Sequence, residues 1–155
     1  MIDCAATKTK VLGFYALHPR AKLPMKQTQG AACFSIHACC DDQITLNPGE
    51  RALIPTGLIF DIPENHSVRI HTRSSWAAVK GIGLSVSQGI IDSDYVEEVF
   101  VPMVNNNNKL FHIRSGERIA QIELVKTIPT INTWIEERPA QKTNRNGGFG
   151  STGVE

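Results

Sequence analysis

The sequence has no excess of charge of either sign. Its 16 Lys and Arg stand against 15 Asp and Glu. It therefore lacks the basic surface by which proteins grip phosphate polymers regardless of sequence, and no nucleic-acid partner is expected. It also lacks any stretch approaching the roughly 20 apolar residues of a membrane span, so no membrane partner is expected. The opening Met1-Ile-Asp-Cys-Ala-Ala-Thr-Lys has no apolar core of a signal peptide. A soluble, cytoplasmic protein is expected, with a nuclear location open for a eukaryotic or viral source. Cysteine is sparse: Cys4, Cys33, Cys39 and Cys40 make no Cys-x-x-Cys pair with a histidine partner at zinc spacing. Adjacent cysteines such as Cys39 and Cys40 rarely bridge each other. Reduced cysteines on or beside strands are expected, and no protein-held metal. At 155 residues the chain has room for one sizeable core and not for two.

Long amphipathic helices are missing as well. In their place, short apolar or alternating runs recur at 11–15, 33–38, 43–46, 52–54, 57–62, 67–72, 99–104, 110–113 and 118–125. Turn signals lie between them, such as Asn47-Pro48-Gly49, Pro63-Glu64-Asn65 and Ser115-Gly116-Glu117. This is the pattern of an all-β barrel or double-sheet fold. One short helix is expected over 74–80, capped by Ser74 or Ser75. The four asparagines 105–108 read as a polar hairpin loop. From Pro139 onward apolar residues almost vanish, so the chain divides into a β domain, 1–138, and a flexible C-terminal arm, 139–155.

Three segments carry chemistry. In the arm, Arg145-Asn-Gly-Gly-Phe149-Gly150-Ser151-Thr152-Gly combines a cation, an aromatic, two hydroxyls and four glycines. Glycines let backbone N–H groups approach an anion, the guanidinium and hydroxyls donate to phosphate oxygens, and the aromatic can lie on a base. A floppy tail with an incidental Phe149 is the plainer alternative. At Arg73-Ser74-Ser75-Trp76-Ala77 an arginine and two serines open the short helix, which suits an anion; serine caps alone would also explain it. At Gly89-Ile90-Ile91-Asp92-Ser93-Asp94-Tyr95, an inward Ile91 would turn Asp92 to the opposite face, where it could take a proton from water. A solvated Asp-Ser-Asp turn is the alternative there.

Together with Ala31-Ala-Cys-Phe-Ser-Ile-His-Ala38 and Gly116-Glu-Arg-Ile-Ala-Gln121, these segments resemble, in order and over nearly the whole chain, the five motifs of the trimeric dUTP pyrophosphatase family. Leu46-Asn-Pro-Gly-Glu-Arg-Ala-Leu-Ile-Pro-Thr-Gly57, between the first and second, is also typical. The resemblance implies a jelly-roll-like β domain of the dUTPase-like β-clip type, with a flexible arm. It also implies a homotrimer with active sites at subunit interfaces, and hydrolysis of dUTP to dUMP and pyrophosphate. Asp92 matches the general base. Tyr95 matches the aromatic under the deoxyribose, and Gly89 and Ile91 lie in the β-hairpin that reads uracil. Arg73, Ser74, Ser75 and Gln121 match phosphate ligands. In the arm, Phe149 would cover the base while Arg145, Gly150, Ser151 and Thr152 close over the γ-phosphate. Mg2+ would be held chiefly by substrate phosphates and water, because Ser35 stands where the first motif usually has aspartate. Val86 replaces a base-facing asparagine, and Val96 and Glu97 replace the usual arginine and glycine. Arg145 precedes Phe149 by four residues where five are usual. Two other functions are weighed against this one. A dCTP deaminase shares the fold and the Arg-Ser-Ser segment but needs a proton-carrying carboxylate where this chain has Pro102. A non-catalytic member of the fold would act by binding a partner.

Overall fold

The computed structural model describes residues 9–143. Its regular structure is almost entirely β: β1 (Gly13–Ala16), β2 (Phe34–His37), β3 (Ile44–Leu46), β4 (Arg51–Pro55), β5 (Leu58–Asp61), β6 (His66–Thr72), β7 (Ile82–Leu84), β8 (Gly89–Ile91), β9 (Phe100–Asn105), β10 (Phe111–Ile113) and β11 (Arg118–Lys126). The strands form antiparallel sheets in the orders β2-β11-β6-β8, β4-β9-β7, β1-β5 and β10-β3. The all-β, jelly-roll-like expectation holds. Nine strands are legible as apolar or alternating runs; β7 (Ile-Gly-Leu) and β8 (Gly-Ile-Ile) each hold a glycine and show no apolar–polar alternation.

Alternation along each strand sends one face inward. Ile36, Leu46, Ile54, Phe60, Val68, Ile70, Ile82, Val101, Ile113 and Ile122 are all buried in one cluster. Each such side chain contributes roughly 1.5–3 kcal/mol by leaving water. In β6 the inward Val68 and Ile70 alternate with half-buried Arg69 and His71, and this alternation sets which side chains reach the sheet's other face.

Two local expectations need correction. Asn105–Asn108 is not a hairpin, because β9 pairs with β4 and β7 while β10 pairs with β3. Asn105 is fully buried. Its Nδ2 donates to the carbonyls of Leu46 (2.9 Å) and Lys109 (2.8 Å), and its Oδ1 accepts from the Asn107 N–H (2.9 Å). The run is thus a clamp, held by the buried amide. The second correction concerns the short helix. Trp76–Lys80 is a π-helical turn, and no serine side chain caps it. It ends at Gly81, whose φ of 67° requires glycine-like freedom, and Asn107 Nδ2 donates to the Lys80 carbonyl. The wide turn is closed at its C-terminal end by the asparagine clamp and not at its start by a hydroxyl.

The last strand ends at Lys126, and no strand or helix follows among the described residues. Along that stretch Ile128, Ile131 and Trp134 are exposed, Trp134 at 99%.

Candidate active site

The segment 82–91 arches from one sheet to the other. β7 adds to β9, while β8 adds to β6. It is therefore not the two-stranded hairpin expected, because each short strand finds a longer partner. The arch walls a cleft of about 470 Å³. Val86, Gly89 and Asp92 come from the arch and its exit, Leu53 and Phe100 from β4 and β9, and Ile70 from β6. Gly89 is required by the close approach of β6: a Cβ there would lie 3.0 Å from Ile70 Cβ. Ile91 is buried at 7%, and Asp92, next in the chain, is exposed, as the alternation implied.

A tight loop sets the cleft's far wall. The Tyr95 N–H donates to the Asp92 carbonyl at 3.2 Å, and the Tyr95 hydroxyl donates to the Glu98 carbonyl at 2.9 Å. Glu98 is fixed in turn, its Oε1 accepting from the Gly57 N–H at 2.8 Å. Tyr95 therefore presents its ring to the cleft in one orientation. Among the described lining residues Asp92 is the one charged side chain. Pro102 also lines this cleft, so the position that would carry a deaminase carboxylate reaches the same space but holds no proton to move.

A second cleft, also about 470 Å³, is lined by His37, Arg73, Ser75, Trp76, Lys80, Gly116, Glu117 and Arg118. Its character is cationic. Arg73 and Lys80 each lie 5.3 Å from the centre of the Trp76 ring, and Trp76 is itself locked edge-on to Phe111 at 5.1 Å. Arg73 also donates to the Arg118 carbonyl. Burial, then the neighbouring Arg118 charge, lowers the Arg73 pKa, with Glu117 opposing. His37 has a buried Nδ1 with no hydrogen-bond partner among the described residues. Its pKa is lowered by burial first, then by Lys22, Arg118 and Arg73. Like charges crowded together in this way are relieved by an anion. The one carboxylate here, Glu117, already accepts from the Arg114 N–H at 3.0 Å. Ser35 is buried at 4% and lines neither cleft. The donor set suits a metal that arrives on phosphates and not a bare cation.

The two clefts share no residue, and the strand register measures how far apart they are. Ile91 pairs with Val68 and Gly89 with Ile70, so β8 carries Asp92 past Val68 and away from the Arg73 end of β6. Six residues of strand separate the level of Asp92 from Arg73, about 20 Å at roughly 3.3 Å per residue. The chain brings Asp92 and Tyr95 together with Gly89 and Ile91, and Arg73 together with Ser75. Ser74 and Gln121 line neither cleft; Gln121 sits mid-sheet between Ser35 and His71. Arg145, Phe149, Gly150, Ser151 and Thr152 lie outside the described residues. Lys80, Arg118 and His37 are site residues that the sequence reading did not single out. His37 and Arg118 stand inside motifs given above, and Lys80 follows Trp76 by four residues in the expected helix, a spacing that puts both on one face.

The family model described as dUTPase matches residues 19–153. A deoxyuridine 5'-triphosphate nucleotidohydrolase of Leptospira interrogans is 42% identical over 138 residues, which is 88% of this chain and 94% of that relative. Among solved structures, the dUTPase of Staphylococcus bacteriophage 80alpha with dUpNHpp matches with a TM-score of 0.83 at 23% identity, over 94% of this chain and 100% of that one. A mutant dUTPase from phage phi11 of S. aureus, described with a coordinated structural Mg(II) ion, matches with a TM-score of 0.74 at 19% identity, over 83% of this chain and 98% of that one. Both structures carry the same fold.

Proposed function

Since the chain belongs to the dUTPase family and hydrolyses dUTP, we propose that the reaction runs in a site built from two copies of the chain, with Asp92 of one facing Arg73 of another. The observation that supports this is the separation of about 20 Å along the β6–β8 register. Among the described residues, a cleft whose one charged side chain is a carboxylate and a cationic cleft whose one carboxylate is already hydrogen-bonded are complementary halves. One triphosphate substrate cannot use both halves of one chain. A homotrimer closes the gap by rotation, each interface pairing unlike surfaces. The exposed Trp134 and Ile131 supply apolar surface that a neighbour would cover.

In the assembled site the uracil and deoxyribose enter the Asp92 cleft. The packed ring of Tyr95 would refuse a 2′-hydroxyl, and backbone groups of Gly89 and Ile91 would read the base. The phosphates lie in the partner's cationic cleft on Arg73, Ser75, Lys80 and Arg118, with Ser74 and Gln121 at its margin. Asp92 takes a proton from a water whose oxygen bonds to the α-phosphorus. The bond from that phosphorus to the bridging oxygen breaks, and pyrophosphate leaves. When bound, Mg2+ neutralises phosphate charge and fixes the chain's geometry. Arg145, Phe149, Gly150, Ser151 and Thr152 close over base and γ-phosphate, so remote binding energy is spent on alignment. The reading places this activity in the cytoplasm.

Complementation tests the arrangement. Asp92→Asn and Arg73→Gln homo-oligomers should each be nearly inactive. After subunit exchange, interfaces that pair an intact Asp92 with an intact Arg73 should restore turnover. No recovery, with exchange confirmed by mass spectrometry, would place both residues in one chain's site and overturn the proposal.

A further inference from the structure

We propose that Cys33, His71 and Glu123 form a binding site for one thiophilic divalent cation of the zinc class, on the face of the four-stranded sheet turned away from the core. The register puts them there. Ile122 pairs with Phe34 on one side and with Ile70 on the other, and Ile122 and Ile70 are buried in the core. One step along each pleat, Cys33, Glu123 and His71 turn to the opposite face. One donor atom from each lies within 4.8 Å of the other two.

The set is suited to a soft or borderline metal. Zinc bonds of about 2.3 Å to sulfur and 2.0–2.2 Å to nitrogen or oxygen place tetrahedral ligands roughly 3.3–3.6 Å apart, within reach of small side-chain rotations from the present positions. Thiolate and imidazole disfavour magnesium and calcium, which take oxygen ligands, so this site is distinct from any metal carried by the substrate. The carboxylate already chooses the histidine. Arg69 is Glu123's direct cross-strand partner, yet Glu123 Oε1 lies 2.8 Å from His71 Nε2. The His71 Nδ1 faces the Gln88 amide at 3.5 Å. A half-turn of that amide presents its oxygen to an Nδ1 proton and leaves Nε2 for the metal, the outer support that metal-bound histidines ordinarily have. His71 and Glu123 side chains are about a third exposed, 31% and 37%, which leaves the fourth position open to water. As the site stands, burial and the Glu123 charge raise the Cys33 pKa; a cation between the two groups turns that repulsion into shared attraction.

Cobalt reports each ligand directly. Chelator-treated full-length protein titrated with Co2+ should take up one ion per chain. It should show the visible bands of a four-coordinate site and a near-ultraviolet thiolate-to-cobalt band, and both should be discharged by Zn2+ but not by excess Mg2+. Cys33→Ser should abolish the thiolate band, while His71→Gln and Glu123→Gln weaken uptake by at least about tenfold. Cys39→Ser, in a cysteine buried elsewhere, should leave the spectrum unchanged. Circular dichroism of each variant separates ligand loss from misfolding. Absence of stoichiometric uptake, or a thiolate band that survives Cys33→Ser in a folded protein, would overturn the site.

Discussion

Replacing Asn105 with alanine tests whether the asparagine run is a clamp or a loop. The side chain is fully buried and makes three hydrogen bonds of 2.8–2.9 Å to the backbone of Leu46, Lys109 and Asn107. Truncation removes all three bonds. At about 1 kcal/mol for each bond, the loss is about 3 kcal/mol before any cost of the void. For a chain of this length that corresponds to a fall of about 6–12 °C in Tm. Asn105→Asp should be worse, because a carboxylate oxygen would face the carbonyls of Leu46 and Lys109 and a charge would be buried. Asn108→Ala, at an exposed position, should lie within about 0.5 kcal/mol of the parent. Urea unfolding at fixed protein concentration, with m unchanged, measures all three. Because Asn107 also holds the Lys80 carbonyl at 3.0 Å, Asn105→Ala should in addition raise KM for dUTP. A loss below about 1 kcal/mol, or equal losses at positions 105 and 108, would show that the buried amide does not organise this segment.

Other outcomes follow from the site. Asp92→Asn should lower kcat by about 10²–10⁴-fold with little change in substrate affinity, measured by pyrophosphate release and by equilibrium binding; near-normal turnover would mean another group is the base. Because the His37 pKa is lowered from 6.5, the unfolded chain binds that proton more readily than the native one. The stability contribution is full above about pH 6.5 and is lost as pH falls through the folded value. A triphosphate in the same cleft favours the cation, so dUTP binding should take up a proton and tighten as pH drops below 7. His37→Gln should flatten both profiles relative to the parent in paired titrations; parallel profiles would remove His37 from the phosphate cleft. Tyr95→Ala should narrow the ratio of kcat/KM for dUTP over UTP, and comparable turnover of UTP by the parent would refute the role given to that ring.

Nine strands could be read from the sequence because each lies in a short apolar or alternating run set off by turn residues, as β6 and β11 do. β8 was legible only as a chemical motif. Gly89-Ile90-Ile91 has no apolar–polar alternation, and its partner β6 had to be chosen by packing. Pairing was hidden for the same reason in the asparagine run. Four polar residues between two strands suggest a hairpin, and nothing local reveals that β9 and β10 find partners elsewhere or that Asn105 is the buried one. The serines before Trp76 carry a capping signature, yet the turn that forms is held from its C-terminal end by residues nearly thirty positions away.

By itself the sequence determined which chemical groups this protein owns and in what order: a carboxylate at Asp92, an aromatic at Tyr95, an arginine with two serines, and a β scaffold to hold them. Those are properties of residue type and short-range alternation. Tertiary structure alone decided where the groups stand relative to one another. Sheet register sets the level of Asp92 about 20 Å along β6 from Arg73, and gathers His71, Glu123 and, just ahead of β2, Cys33 onto one face. The physical reason is that a strand's hydrogen-bonding edges are satisfied by partners distant in the chain, so distances across a sheet are fixed by pairing and not by spacing in the sequence.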